Sequence, residues 1–295
     1  MSSTNTFNPV LRAAAKKVLP EGVQRILGSS MYRLTRWSAV VRLALLRRRV
    51  VNKNPGSIVT FKGYKVRIND GPNFYYLCKD IFENRIYHFD ARRPDPLILD
   101  CGSNIGMSVL YYKQEYPSAR IIAFEPEPVI FRYLQENITA NNIADVRLVQ
   151  AAVAGREGNL AFHSDGKYAS YLVQDVATAV PPGWTECRVP CVRLRSYLNE
   201  PVDFLKLNIE GAEWDTIADS EDCLRQVREM VIEYHHLPGL PRTLHLILEV
   251  LNRQGFEYLI NDFDSETNGS IQPPFRLTPE SQYFLLIYAR RIGSG

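Results

Sequence analysis

The chain has 295 residues, 45% of them hydrophobic and 23% charged, with a net charge of +3. That is enough for one large α/β domain with an appendage, and the composition is that of an ordinary globular protein. No apolar run reaches the roughly 18–20 residues of a membrane span, no signal-peptide pattern opens the chain, and the odd number of scattered cysteines, 5, fits reduced thiols in the cytoplasm rather than a disulfide framework.

The charge is uneven. Residues 1–55 hold 11 Lys/Arg and one acid, Glu21, whereas the remainder holds 24 Lys/Arg and 31 acids. This basic leader (1–55) is polar to about residue 8 and helical in pattern over 9–50, with Arg33, Arg36, Arg42 and Arg47 to Arg49 among apolar residues. It is expected to cap the domain with a solvated basic face. The alternative is peripheral contact with an anionic membrane or an acidic partner.

An accessory segment (56–96) follows. "SIVTFKGYKVRI" predicts two short strands around Lys62 and Gly63, residues 69–72 a turn, and residues 74–89 a helix. From residue 97 to 292 the order is regular. Strands are expected at 97–101, 120–125, 146–150, 202–210 and 228–236, with helices at 105–116, from Glu127 and Pro128, from Ala212, and at 244–255. A looser strand-rich insertion spans about 156–194, and "FEYLI" and "YFLLIYARR" form a terminal strand pair. Alternating strands and helices predict a mostly parallel sheet covered on both faces. Cys187 and Cys191 are read as strand residues, and the N-x-S/T matches at Asn137 and Asn268 as chance.

In such a sheet, ligands bind beyond the carboxyl ends of the strands. The segment "LILDCGSNIGMSVLYY" (97–112) places Asp100, Gly102 and Gly106 there. The glycines allow a tight turn and close backbone approach, but their spacing is not G-x-G-x-x-G. An acid beside a pyrophosphate meets like charge in a poorly screened pocket, whereas an acid beside a cation is favoured. S-adenosylmethionine supplies a sulfonium and an ammonium and has no phosphate. Glu125, ending the second strand, is placed to accept hydrogen bonds from ribose hydroxyls. The competing role for Asp100 is to cap the following helix.

Together, "ILDCGSNIGMSVLYY", "IIAFEPEP", "LVQAAVAGREG", "DFLKLNIEGAEWDTI" and "MVIEYHH" resemble the FkbM-type S-adenosylmethionine-dependent methyltransferases. The resemblance runs over about residues 74–290 and is most distinctive in the "EGAE" block. It implies a class I methyltransferase (Rossmann-like) fold, with a seven-stranded sheet whose last strand is antiparallel. It also implies O-methylation of hydroxyls, commonly on sugars or secondary metabolites. By that resemblance Asp100, Gly102, Asn104 and Gly106 line the methionine end of S-adenosylmethionine, Glu125 holds the ribose, and Ala151 and Ala152 edge the adenine. Many family members have Asp where this chain has Asn208. Asn is neutral and no base, so a divalent metal is an alternative that the sequence does not support.

A hydroxyl acceptor must lose its proton, so a base is expected near the donor. The strand period puts Lys206, Asn208 and Glu210 on one side. Glu213 follows in the first helical turn, where complementing the helix dipole is an equal reading. His235 and His236 close the next strand at the same rim. The expectation is that Glu210 and one of these histidines flank the acceptor oxygen while Asn208 orients it. Tyr168, Ser170 and Tyr171 read as a surface loop, with closure over substrate as the alternative.

The segments "QPPF" (272–275) and Pro190–Cys191 superficially match nucleic-acid methylation motifs but stand in the wrong places. The acidic body also disfavours a phosphate track. The expected partner is therefore a small-molecule or glycan acceptor and no nucleic acid, with the oligomeric state left open. Two rival functions are a non-catalytic S-adenosylmethionine-binding or scaffold protein and, further off, a dinucleotide oxidoreductase.

Overall fold

In the computed structural model, which describes residues 39–164, 170–172, 185–262, 278 and 281–293, helix α1 runs over residues 39–50. Strands β1 (Ile58–Phe61) and β2 (Tyr64–Arg67) form the expected hairpin. Its turn residues Lys62 and Gly63 both have positive φ, 49° and 89°, as a tight two-residue hairpin requires.

Helix α2 (Gly71–Leu77) departs from the expectation of one helix over 74–89. It begins inside the cluster read as a turn, because Asp70 accepts from the Asn73 N–H at 2.8 Å and a proline occupies the first turn. It continues as a π-helical stretch over Cys78–Glu83 and stops there, just before Arg85 takes a φ of 57°. Gly71 packs directly on α1: a Cβ there would lie 1.8 Å from the Val50 carbonyl oxygen.

The main domain then alternates as expected: β3 (Leu97–Cys101), α3 (Met107–Glu115), β4 (Arg120–Phe124), α4 (Pro128–Ala140) and β5 (Val146–Val149). Helix α3 starts at Met107 rather than residue 105 because Gly106, at φ 91°, holds the entry turn. It is buried from Met107 through Lys113, enclosed between the sheet and the accessory segment. Asn137 in α4 is 1% exposed and bonds the backbone of Arg67 and Ile105, which shuts it off as a glycosylation site.

The insertion is a second, four-stranded sheet in the order β6 (Ala152–Ala154), β9 (Thr185–Arg193), β7 (Gly158–Ser164), β8 (Ser170–Leu172). Cys187 and Cys191 both lie in β9 as free thiols. Ser170 and Tyr171 belong to β8; Tyr168, "QPPF", Asn268 and residues 1–38 of the leader lie outside the described residues. The chain returns through β10 (Val202–Leu207), α5 (Glu213–Asp219), β11 (Val227–His236), α6 (Leu244–Arg253), β12 (Phe256–Asp262) and β13 (Tyr283–Arg291).

The main sheet has seven strands in the order β12-β13-β11-β10-β3-β4-β5. Only β13 is antiparallel, to both of its neighbours. This is the class I methyltransferase sheet that the resemblance implies. Strand order reverses between β3 and β10, which opens a crevice at their carboxyl ends. One face of the sheet shares a core with α1, the hairpin and α2, through residues such as Val50, Phe74, Tyr87, Ile98, Phe204 and Val231. Phe89 stacks on Phe204 with ring centroids 4.5 Å apart.

Gly71→Ala should lower the unfolding free energy by about 1–3 kcal/mol through overpacking against α1, measured by urea denaturation. An unchanged midpoint would mean that α1 can move away freely.

Candidate active site

The crevice is lined with buried charge. Asp100 and Lys206 are register partners on β3 and β10, and they are 0% and 2% exposed. Lys206 Nζ stands 3.1 Å from Asp100 Oδ1 and donates to the Gly102 carbonyl at 2.7 Å. Ser108, in the first turn of α3, donates to Asp100 Oδ2 at 2.5 Å. The cation beside Asp100 in this structure is therefore Lys206. Its two carboxylate oxygens lie against Lys206 and Ser108, and through them Asp100 acts on the following loop.

That loop is shaped by three left-handed residues, Gly102 (φ 84°), Asn104 (φ 49°) and Gly106 (φ 91°). Gly102 is dictated by contact as well, since a Cβ would fall 1.8 Å from the Asn208 carbonyl oxygen. The Asn104 N–H donates to Glu125 Oε2 at 2.9 Å, and the Glu127 N–H donates to Oε1 at 3.0 Å. Glu125 is thus fixed at the end of β4, 6% exposed. Burial pushes its pKa up to about 7, against those two backbone donors, which favour the carboxylate. Ala151 and Ala152 follow β5 and are buried at 3% and 5% exposure.

The "EGAE" block forms the facing wall. Strand β10 ends at Leu207, so the alternation expected through residue 210 does not hold. Glu210 and Gly211 instead turn in succession through positive φ, 54° and 99°. The turn still delivers Glu210 to the rim, with 40% of its side chain exposed and Oε2 3.5 Å from His235 Nε2. Desolvation raises the Glu210 pKa and His235 lowers it; the exposed part of the side chain weakens both effects.

Glu213 is 1% exposed. It accepts from the Gly211 N–H at 3.1 Å and lies 3.0 Å from His235 Nδ1. It therefore does more than complement the helix dipole. Asn208 Oδ1 is buried with no hydrogen-bond partner among the described residues.

His235 and His236 are separated by the strand period. His235 joins Glu210 and Glu213. His236 points to the opposite face of the sheet, its ring 4.9 Å from that of Tyr283, with its pKa lowered by burial and by Arg242. Only His235 enters the cluster. Burial alone would lower the His235 pKa, but Glu210 and Glu213 reverse this and hold it at about 10. The two carboxylates therefore favour the imidazolium form of His235.

Two participants were not singled out from the sequence. Glu233, two residues before His235 on the same face, accepts a hydrogen bond from the Tyr87 hydroxyl, and the Tyr87 ring lies 5.1 Å from Lys206 Nζ. The strand period around His235 could have indicated Glu233. Tyr87 comes from the accessory segment, and only the fold brings it here. The site therefore gathers five carboxylates (Asp100, Glu125, Glu210, Glu213 and Glu233) around two cations, Lys206 and His235. Among the described residues no group of three His, Cys, Asp or Glu forms a metal-ligand set.

The ion pairs of His235 stabilise the fold fully below its unfolded pKa of about 6.5, and this contribution is lost as pH rises through about 10. Glu213→Gln should lower the His235 pKa measured by imidazole NMR and flatten the fall in stability across that window. An unshifted titration would show that Glu213 does not hold the proton.

Comparison with known proteins follows this geometry. Residues 100–258 match the model of the methyltransferase FkbM domain. "Methyltransferase 1" of Beauveria bassiana is 30% identical over 168 residues, 50% of this chain and 67% of that protein. "31-O-demethyl-FK506 methyltransferase FkbM" of Streptomyces tacrolimicus is 28% identical over 214 residues, 61% of this chain and 81% of that protein. "2-O-methyltransferase NoeI" of Sinorhizobium fredii is 27% identical over 158 residues, 48% of this chain and 64% of that protein. The matched span includes the end of β3 from Asp100 and all of β4, β10 and β11, which carry the charged crevice. The chain belongs to the FkbM methyltransferase domain family and is an S-adenosylmethionine-dependent methyltransferase of that type.

Proposed function

We propose that the chain transfers a methyl group from S-adenosylmethionine to a hydroxyl of a small polyhydroxylated acceptor, a sugar or glycan or a secondary metabolite. The observation that carries this is the surplus of carboxylates over cations at the crevice, with one of them, Glu210, at the open rim. Such a surplus favours a bound cation and repels a diphosphate, which argues against dinucleotide chemistry. Two relatives named for O-methyl chemistry support the choice of oxygen.

The residues present suit the donor. The Gly102–Gly106 turn leaves room for close backbone approach, Glu125 keeps lone pairs for ribose hydroxyls, and the Asn208 oxygen lacks a partner. When bound, S-adenosylmethionine supplies the electrophilic methyl group for an in-line displacement. The chain's task is to position the acceptor and receive its proton. Glu210 takes that proton, and its exposed edge lets it pass the proton on to solvent. His235 holds Glu210 in place by charge, and Glu213 holds His235. Asn208 orients the acceptor.

Glu210→Gln should reduce kcat by about 10²–10⁴-fold with donor affinity little changed, measured with labelled S-adenosylmethionine against a panel of hydroxylated acceptors. Unchanged turnover would remove Glu210 from the base role. A methyl group found on nitrogen or carbon in the product would overturn O-methylation. Tight donor binding with every acceptor inert would favour the scaffold alternative.

Ribose hydroxyls donate to the ionised form of Glu125, so donor affinity should weaken as pH falls through about 7, and Glu125→Gln should flatten that dependence in calorimetric titration. A wild-type affinity constant with pH would remove Glu125 from the ribose.

A further inference from the structure

Helix α1 carries two different faces. Ala39, Leu43, Leu46 and Val50 are the less exposed positions, spaced at helical intervals toward the domain. The outward face holds Val40, Val41 and Leu45, which are 55%, 52% and 58% exposed, beside exposed Arg47 and Arg48. A solvated cap would place polar residues there. Residues 39–55 contain 5 Lys/Arg and no acid.

Beneath the helix lies a recess of about 350 Å³, shared with the β1–β2 hairpin and the π-helical stretch. Arg42, Arg49 and Lys62 line it together with Leu46, Phe61 and Glu83. Glu83, the one acid of the recess, is engaged by Arg42 at 2.7 Å, so Arg49 and Lys62 leave it positive. The adjoining strand adds Ile58, 60% exposed.

We propose that α1 and this recess form a docking site for the surface of an anionic lipid bilayer. In the docked state Val40, Val41 and Leu45 enter the interface, Arg47 and Arg48 lie at headgroup level, and a lipid phosphate seats against Arg49 and Lys62. An acidic protein would satisfy the arginines but would give no reason for three exposed aliphatic residues among them. A bilayer interface uses both features. No helix among the described residues is long and apolar enough to cross a membrane, so the contact is peripheral. The site is separate from the crevice and does not depend on which acceptor is methylated.

The test is co-sedimentation of the full chain with phosphatidylcholine vesicles, with and without phosphatidylserine. Binding is expected only to the anionic vesicles and should weaken as salt is raised. At roughly 1 kcal/mol per basic residue, the double variant Arg47→Glu, Arg48→Glu should lower partitioning by about thirtyfold or more. Leu45→Gln should lower it without changing the net charge. All three substituted side chains are exposed, and circular dichroism melts should match the wild type. Absence of binding to anionic vesicles, equal binding to neutral ones, or binding unaffected by both substitutions would each overturn the proposal. S-adenosylmethionine affinity measured on the same variants should not move, which separates this outcome from any failure of the methyl-transfer assignment.

Discussion

The crevice depends on one buried ion pair. Asp100 and Lys206 face each other across adjacent parallel strands, where strand order reverses. A pair this deeply desolvated adds little net stability over apolar residues of similar size. Its effect is positional. Lys206 also draws in the Gly102 carbonyl, so the pair sets the start of the glycine turn. The turn in turn presents the Asn104 N–H to Glu125. A single charge pair thereby fixes the glycine turn and Glu125 from beneath.

The facing wall is organised by a second set of charges with a different division of labour. Glu213 is enclosed, His235 lies between two carboxylates, and Glu210 reaches solvent. The two carboxylates favour the charged imidazole, which in turn offsets part of the desolvation that raises the Glu210 pKa. The accessory segment joins this arrangement through Tyr87, which makes it part of the site's wall as well as a cover for the sheet.

Much of this was legible in the sequence. The alternating elements, the terminal strand pair and the strand-rich insertion follow from periodicity and turn residues, and Glu125 and Glu213 fall at the strand and helix ends where the pattern puts them. What failed did so for local reasons. The cluster at residues 69–72 reads as a turn because glycine and proline break helices, yet Asp70 and the following proline make it a helix start. The alternation through Glu210 breaks because two left-handed residues end the strand early. The Asp100–Lys206 pair has no signal in the sequence, because its members are 106 positions apart in the chain and register across a parallel sheet cannot be read from spacing. Tyr87 has no signal in any motif, since a loop from outside the alternating domain reaches the site only after folding.

The glycine turn after β3 and the turn after β10 touch backbone to backbone, with Gly102 lying directly under the Asn208 carbonyl. Neither can be reshaped alone. An engineer grafting the "EGAE" loop of a relative onto this chain would also have to transplant the glycine loop after β3. Half of such an exchange would strain the glycine loop before it gave the new one its intended shape.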